Sequence, residues 1–290
     1  MSTIYFDSQH SAPVRRANIL GGDIYVFSAR PSTRAFVDFA RDLASKAFTP
    51  HNPCDAQHHM PAEEFAAILS ELKPRFMHDP KVKEQMRAIF KDFGEDPEQL
   101  FFDVPRMRSM THGDYLRTGI ALAVPPHRDT WFAGHQAQLN WWFPVSGVEP
   151  GNTMVFHPGY FNRGVDNVSG RYNHQQWLEK SRAEAAQHIK SDTRPLPEIR
   201  QEIDTSSDIR IQCEEGGLLL FSASHLHSTS PNNTGHTRFS VDFRTVNLED
   251  VVSGQGAPNV DNESAGTTLG EYLRFSDSSP IPESIIAAQG

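Results

Sequence analysis

The sequence predicts a mainly β fold with added helices: a jelly roll, or double-stranded β-helix, with a helical N-terminal layer and a helical insertion. Three observations lead there. Strand-like runs broken by Gly and Pro begin at Phe101 and return from Ile209 to Val246. A polar stretch with helical texture separates the two sets. Helical periodicity dominates the first hundred residues. Strands on both sides of an insertion fit an antiparallel double sheet.

In chain order, Ile19 to Arg30 contains a short apolar run expected to enter as a strand. Ser32 is a candidate N-cap for a helix over Ala35 to Phe48, where Phe36, Phe39, Ala40, Leu43 and Ala47 recur at helical spacing. Pro50 and Pro53 end it. Helices are expected from Pro61 to about Leu72 and from Pro80 to Phe93, the latter with Pro in its first turn and Gly94 beyond its end. These helices read as a packing layer. The runs FFDVPRMRSM, YLRTGIALAV, HQAQLNWWFPV and NTMVFHP read as strands, and Asn173 to Ile189 as a helix. The tail from Asn247 onward, rich in Gly, Ser, Pro and Asn, is expected to wrap the surface. The expectation is one domain over residues 1–290: a helical layer (1–100), a core (101–160 and 205–246), an insertion or lid (161–204) and a C-terminal wrap (247–290).

Composition narrows the partners. A chain of 290 residues that is 38% hydrophobic can bury a substantial core, and a formal net charge of −9 argues against nucleic acid. No apolar run approaches the roughly 20 residues of a membrane span. Only Cys54 and Cys213 occur, in no metal-type spacing, and the N-terminal stretch lacks the apolar core of a signal peptide. A cytoplasmic protein acting on a small molecule is expected.

The chemistry concentrates in two stretches. His127-Arg128-Asp129 places an imidazole and a carboxylate two residues apart, on one face of an extended chain. Alone, the tripeptide is as readily a histidine hydrogen-bonded to an aspartate. The second stretch runs from Gly216 to Val246: an apolar run, His225 and His227, a turn-rich break, then Arg238, Ser240, Asp242 and Arg244 alternating with Phe239, Val241 and Phe243. That alternation puts the polar set on one strand face. Two histidines and one carboxylate can fill one face of an octahedron and leave three positions open, as in non-haem Fe(II) oxygenases. The third ligand would be His225 or His227. His227 lies 98 positions after Asp129, a separation that distant strands of a jelly roll can close.

HRDTW at 127–131, LNWWFPV at 139–145 and HSTSPNNTGHTRFSVDFR at 227–244 together resemble the Fe(II)- and 2-oxoglutarate-dependent dioxygenases, in their phytanoyl-CoA dioxygenase-like branch. The resemblance covers roughly residues 100 to 250. It implies a cupin-like core, Fe(II) held by His127, Asp129 and His227, and 2-oxoglutarate and O2 as co-substrates. It also implies that an arginine about ten residues after the distal histidine holds the distal carboxylate of 2-oxoglutarate. Arg238, in Arg238-Phe239-Ser240, stands eleven residues after His227 and thirteen after His225, which favours His227 as ligand. A planar guanidinium suits a carboxylate independently of any family, and Ser240 adds a donor on the same face. Asn140 is a further co-substrate candidate. Asp129 is present where halogenating members carry Gly or Ala, so halogenation is disfavoured.

The implied reaction couples oxidative decarboxylation of 2-oxoglutarate, to succinate and carbon dioxide, with hydroxylation, desaturation or ring formation on a small organic substrate. Substrate contacts are expected from Trp131, Tyr160, Arg163 and Arg244, with Phe132, Trp141 and Trp142 clustered near the metal and Phe161, Tyr172 and Trp177 from the insertion as further candidates. Arg244 either pairs with Asp242 or meets a substrate anion. Two other readings compete: a cupin-type metal dioxygenase or isomerase without 2-oxoglutarate, and a non-catalytic jelly-roll binding module.

Overall fold

The structure is a computed structural model, and it describes residues 2–116, 119–121, 124–181 and 196–289. The N-terminal part runs β1 (Ile4–Phe6), α1 (Ala12–Leu20), β2 (Ile24–Phe27), α2 (Pro31–Ala47), α3 (Ala62–His78) and α4 (Pro80–Asp92). The helix starts follow the chain's own signals. Pro31 and Pro80 occupy first-turn positions, where a missing N–H costs nothing. Asp79 caps α4 by accepting from the Lys81 amide at 2.9 Å. Ser32 is not the cap of α2: that role falls to Arg30, whose amide donates to Thr33 Oγ1 at 2.9 Å, while the Ser32 hydroxyl donates to Asp92. α3 continues past Leu72 through Pro74, because Phe65, Leu69, Leu72 and Phe76 keep one buried stripe across it.

The remaining strands are β3 (Leu100–Phe102), β4 (Arg106–Met110), β5 (Leu139–Pro144), β6 (Met154–Phe156), β7 (Ile209–Ile211), β8 (Leu218–Ser222), β9 (His227–Thr229) and β10 (Arg238–Asn247). A two-residue β11 (Leu273–Arg274) completes the large sheet, whose order is β1-β2-β8-β5-β10-β3-β11 with β4 also on β10. A second sheet, β7-β6-β9, faces it. This is the expected jelly-roll class of core with helices added. YLRTGIALAV departs from expectation: none of its described residues is in a strand, and Gly119–Ala121 form a 3-10 turn. Both edges of β10 are already taken, one by β5 and the other by β4 and β3.

Strict alternation builds two layers on the large sheet. Trp141 and Phe143 of β5, Leu218 and Leu220 of β8, and Phe239, Val241 and Phe243 of β10 pack under α2, α3 and α4. The opposite residues, including Trp142, Leu219 and Phe221, meet Met154, Phe156 and Ile211 of the second sheet. The polar residues of β10 therefore lie on the face between the sheets. The helix expected over Asn173–Ile189 is one turn, α5 (His174–Gln176), leading into a π turn (Trp177–Ser181); its remainder lies outside the described residues.

The C-terminal segment is more than a surface wrap. It adds α6 (Leu248–Ser253) and α7 (Glu283–Ala287), and its Val251, Leu269, Tyr272 and Ile281 form a buried cluster with Phe101, Ala137 and Val246.

Candidate metal centre

His127 and His227 meet through backbone pairing before their side chains do anything. The His127 amide donates to the His227 carbonyl and the His227 amide returns the bond, both at 2.9 Å. Two residues on, the Asp129 amide donates to the Ala223 carbonyl at 3.0 Å. The loop carrying the histidine and the aspartate is thus stitched to the β8–β9 connection. The result gathers one ligand atom from each of His127, Asp129 and His227 within 4.8 Å of one another.

Both imidazoles are aimed the same way. His127 Nδ1 lies 2.9 Å from the Pro125 carbonyl oxygen and His227 Nδ1 lies 3.0 Å from that of His225. A carbonyl can only accept, so Nδ1 carries a proton in each ring and Nε2 is the nitrogen left to face a metal. Burial, reinforced by the neighbouring His127, pushes His227 down to about 4, so it is neutral at pH 7. Burial works the other way on Asp129, but hydrogen bonding to His127 and the nearby His227 and Arg244 outweigh it and hold the carboxyl well below its usual range. Two imidazoles held through Nδ1 and a carboxylate form a donor set suited to a divalent metal. His225 is not one of these donors: its ring is fully buried against Phe156 and Phe161, and burial lowers it to about 3.

The triad opens into a cavity of about 800 Å³ between the sheets. Arg238 lines it beside Trp142, with its guanidinium carbon 5.3 Å from the ring centroid. Burial lowers Arg238 to about 10, so it stays charged at neutral pH. Its Nη1 donates to the Asn152 carbonyl at 2.8 Å. Arg238 Nε and Ser240 Oγ, both buried, have no hydrogen-bond partner among the described residues. Unsatisfied buried donors are costly, and the one on Arg238, in the cavity that the triad shares, fits an acceptor-rich anion such as a carboxylate; Ser240 is on the same strand face but is fully buried and is not among the residues lining the cavity.

Other expected site residues fall elsewhere. Asn140 faces the cavity, but its Nδ2 donates to Asp129 Oδ2 at 2.7 Å and its Oδ1 accepts from Gln138 at 2.9 Å, so its amide is committed to protein partners. Arg244 also lines the cavity; it pairs with Asp103 at 2.5 Å, whereas Asp242 takes Arg108 at 2.7 Å. Trp131 is core, with its Nε1 donating to Asp261 at 2.8 Å. Tyr160 is buried beside it and its hydroxyl accepts from the Asp204 amide at 2.7 Å. Arg163 is exposed and lies over the Tyr160 ring, away from the cavity. Large aromatics were needed to fill the space behind the site, and that is where these went. Phe161 packs on His225, and Trp141 faces the helices. Phe132, Trp142, Tyr172 and Trp177 do line the cavity.

Some residues of the cavity and of its supporting loops carried no signal strong enough to single them out. Lys73 reaches in from α3, where it stands four residues after buried Leu69 at the edge of the apolar stripe; its Nζ donates to the Ile120 carbonyl. Burial, with Arg108 nearby, lowers it to about 7. Arg128 is fully buried and holds the ligand loop to the Ser224, Tyr160 and Arg163 carbonyls and to Asp261. A lysine at the margin of a helix stripe was the only trace of the first. Nothing in the sequence marked Asp261.

Several solved structures share similarity with the chain. The 2-oxoglutarate complex of EvdO2 from Micromonospora carbonacea var. aurantiaca is 14% identical with a TM-score of 0.37, the match covering 60% of this chain and 62% of that one. The chain thus spans less than two thirds of that protein. The non-heme monooxygenase ThoJ is 15% identical with a TM-score of 0.44, covering 80% and 77% of the two chains. SnoK, an alpha-ketoglutarate-dependent carbocyclase from nogalamycin biosynthesis, is 11% identical with a TM-score of 0.40, covering 87% and 93%. No curated protein matches as a relative. The sequence profile of phytanoyl-CoA dioxygenase (PhyH) matches residues 32–240, more than two thirds of the chain and a span that takes in the triad and Arg238. The chain belongs to the phytanoyl-CoA dioxygenase family, whose members use Fe(II), 2-oxoglutarate and O2.

Proposed function

We propose that this chain is an Fe(II)- and 2-oxoglutarate-dependent oxygenase that hydroxylates, desaturates or cyclises a small organic substrate, with His127, Asp129 and His227 as metal ligands. The observation that carries the reading is the convergence of three ligand atoms within 4.8 Å in a cavity that Arg238 also lines, its buried Nε without a hydrogen-bond partner among the described residues. When bound, the metal and 2-oxoglutarate supply the oxidising chemistry, with succinate and carbon dioxide as co-products.

The chain's own residues supply orientation. The Pro125 and His225 carbonyls fix the two imidazoles so that neither ring must reorient to present Nε2. Arg238 orients the distal carboxylate of 2-oxoglutarate through the charge of its guanidinium. Trp142 beneath Arg238 limits water around that ion pair, which strengthens it. Phe132, Tyr172 and Trp177 provide apolar wall for the substrate.

The test is succinate formation from 2-oxoglutarate by wild type and Arg238→Ala. Losing a buried charge-assisted contact is expected to raise KM for 2-oxoglutarate by about 10- to 100-fold, with partial recovery in Arg238→Lys. Unchanged KM in Arg238→Ala would overturn the assignment and favour a metal enzyme that does not use 2-oxoglutarate.

A further inference from the structure

The two histidine rings are each pinned through Nδ1 by a backbone carbonyl two residues earlier, whereas the Asp129 carboxylate is tied to side chains. What holds it is a line of buried side chains leading away from the cavity. Asn140 Nδ2 donates to Asp129 Oδ2 at 2.7 Å, Gln138 Nε2 donates to Asn140 Oδ1 at 2.9 Å, and the Tyr272 hydroxyl donates to Gln138 Oε1 at 3.0 Å. Gln138 and Tyr272 are fully buried and Asn140 nearly so. The line has one possible polarity. A carboxylate only accepts, so Asn140 must turn its NH2 inward; its carbonyl then needs a donor, which forces the Gln138 NH2 toward it; the Gln138 carbonyl in turn needs the tyrosine hydroxyl. Each amide is held in one of its two flips by the group beyond it. The backbone reinforces the same strip, with the Ala223 carbonyl accepting from Asp129 and the Ala223 amide donating to Gln138 at 3.1 Å.

We infer that Tyr272, Gln138 and Asn140 form a positioning relay through which the C-terminal segment fixes the Asp129 carboxylate toward the metal. The inference rests on the proposed metal site and deepens it. Tyr272 lies outside residues 32–240, the span matched by the family profile, so the far end of the relay comes from a part of the chain that the match does not cover. Asp129 keeps Oδ2 on Asn140 and turns Oδ1 toward His127 Nε2, 3.3 Å away. One carboxylate oxygen is thereby reserved for protein and the other for the ion, which favours single-oxygen ligation.

The probe is Co(II) alone, titrated into the metal-free full-length protein and followed by its d–d absorption, with melting of the metal-free protein measured alongside. Asn140→Ala is expected to weaken Co(II) binding about 10- to 100-fold and to change the band shape as the carboxylate becomes free to bind through both oxygens. Tyr272→Phe, which keeps the ring and removes only the last donor, is expected to weaken it about 3- to 10-fold. Lower melting temperatures with wild-type affinity and wild-type spectra in both variants would mean a purely structural role and overturn the relay. Failure of the wild-type protein to bind Co(II) would instead overturn the metal site itself.

Discussion

At the scale of single residues, the candidate ligand set was legible because its chemistry is local. His127 and Asp129 are two apart, and the eleven-residue interval from His227 to Arg238 chose between two histidines. His225 contributes its carbonyl, not its ring, and no pattern of residue types distinguishes those roles. Asn140 was visible as a polar residue on an apolar strand, but its partner could be known only once Asp129 stood opposite. Trp131, Tyr160 and Arg163 do not line the cavity: closeness in sequence to Asp129 says nothing about which side of the loop Trp131 faces, and a place in the insertion says nothing about which of its side chains turn inward. Lys73 carries a prediction at this scale. Its charged form is disfavoured in the fold, lowering it from 10.5 to about 7. The unfolded chain therefore binds more protons between those values, and the lysine's penalty, full below about pH 7, is relieved as pH rises toward 10.5. Lys73→Met should accordingly be more stable than wild type near pH 6–7, with the advantage shrinking toward pH 10 in urea titrations. A difference independent of pH would contradict the account.

At the scale of elements, period-two alternation gave the strands their two faces. β10 sends Phe239, Val241 and Phe243 to the helices and its polar residues between the sheets, as the sequence pattern required. Helix ends were readable where Pro and Gly94 marked them, and Gly94 has the positive φ of 70° that suits a residue just past a helix. The C-terminal segment was not readable. Its bonds are between single side chains and distant loops, and such pairing leaves no periodicity. Asp261 shows how much that segment contributes: its carboxylate receives Arg128 at 3.0 Å and the Trp131 indole at 2.8 Å, and the side chains of Asp261 and Arg128 are 7% and 1% exposed. Removing one partner leaves a buried charge uncompensated. Asp261→Ala should lose about 3–5 kcal/mol in denaturant unfolding with an unchanged m-value. A loss below about 1 kcal/mol would place that ion pair among the weak surface kind.

For the whole molecule, the jelly-roll expectation rested on strand texture around an insertion, and two facing sheets bear it out. Such a fold brings His127 and His227 into one backbone bridge across 100 positions, which no local motif could do. The N-terminal helices proved more than a packing layer, since α3 delivers Lys73 and Met77 to the cavity wall. Among the described residues no helix is long and apolar enough to cross a membrane. The central claim is that a metal held by His127, Asp129 and His227 binds 2-oxoglutarate in this cavity. Anaerobic titration of the metal-free protein with Fe(II) and 2-oxoglutarate, followed in the visible spectrum, tests it most directly. The account predicts a weak charge-transfer band that requires both additions, disappears in His227→Ala and survives in His225→Ala, where the orienting carbonyl remains. Tight metal binding with no band on adding 2-oxoglutarate would contradict it.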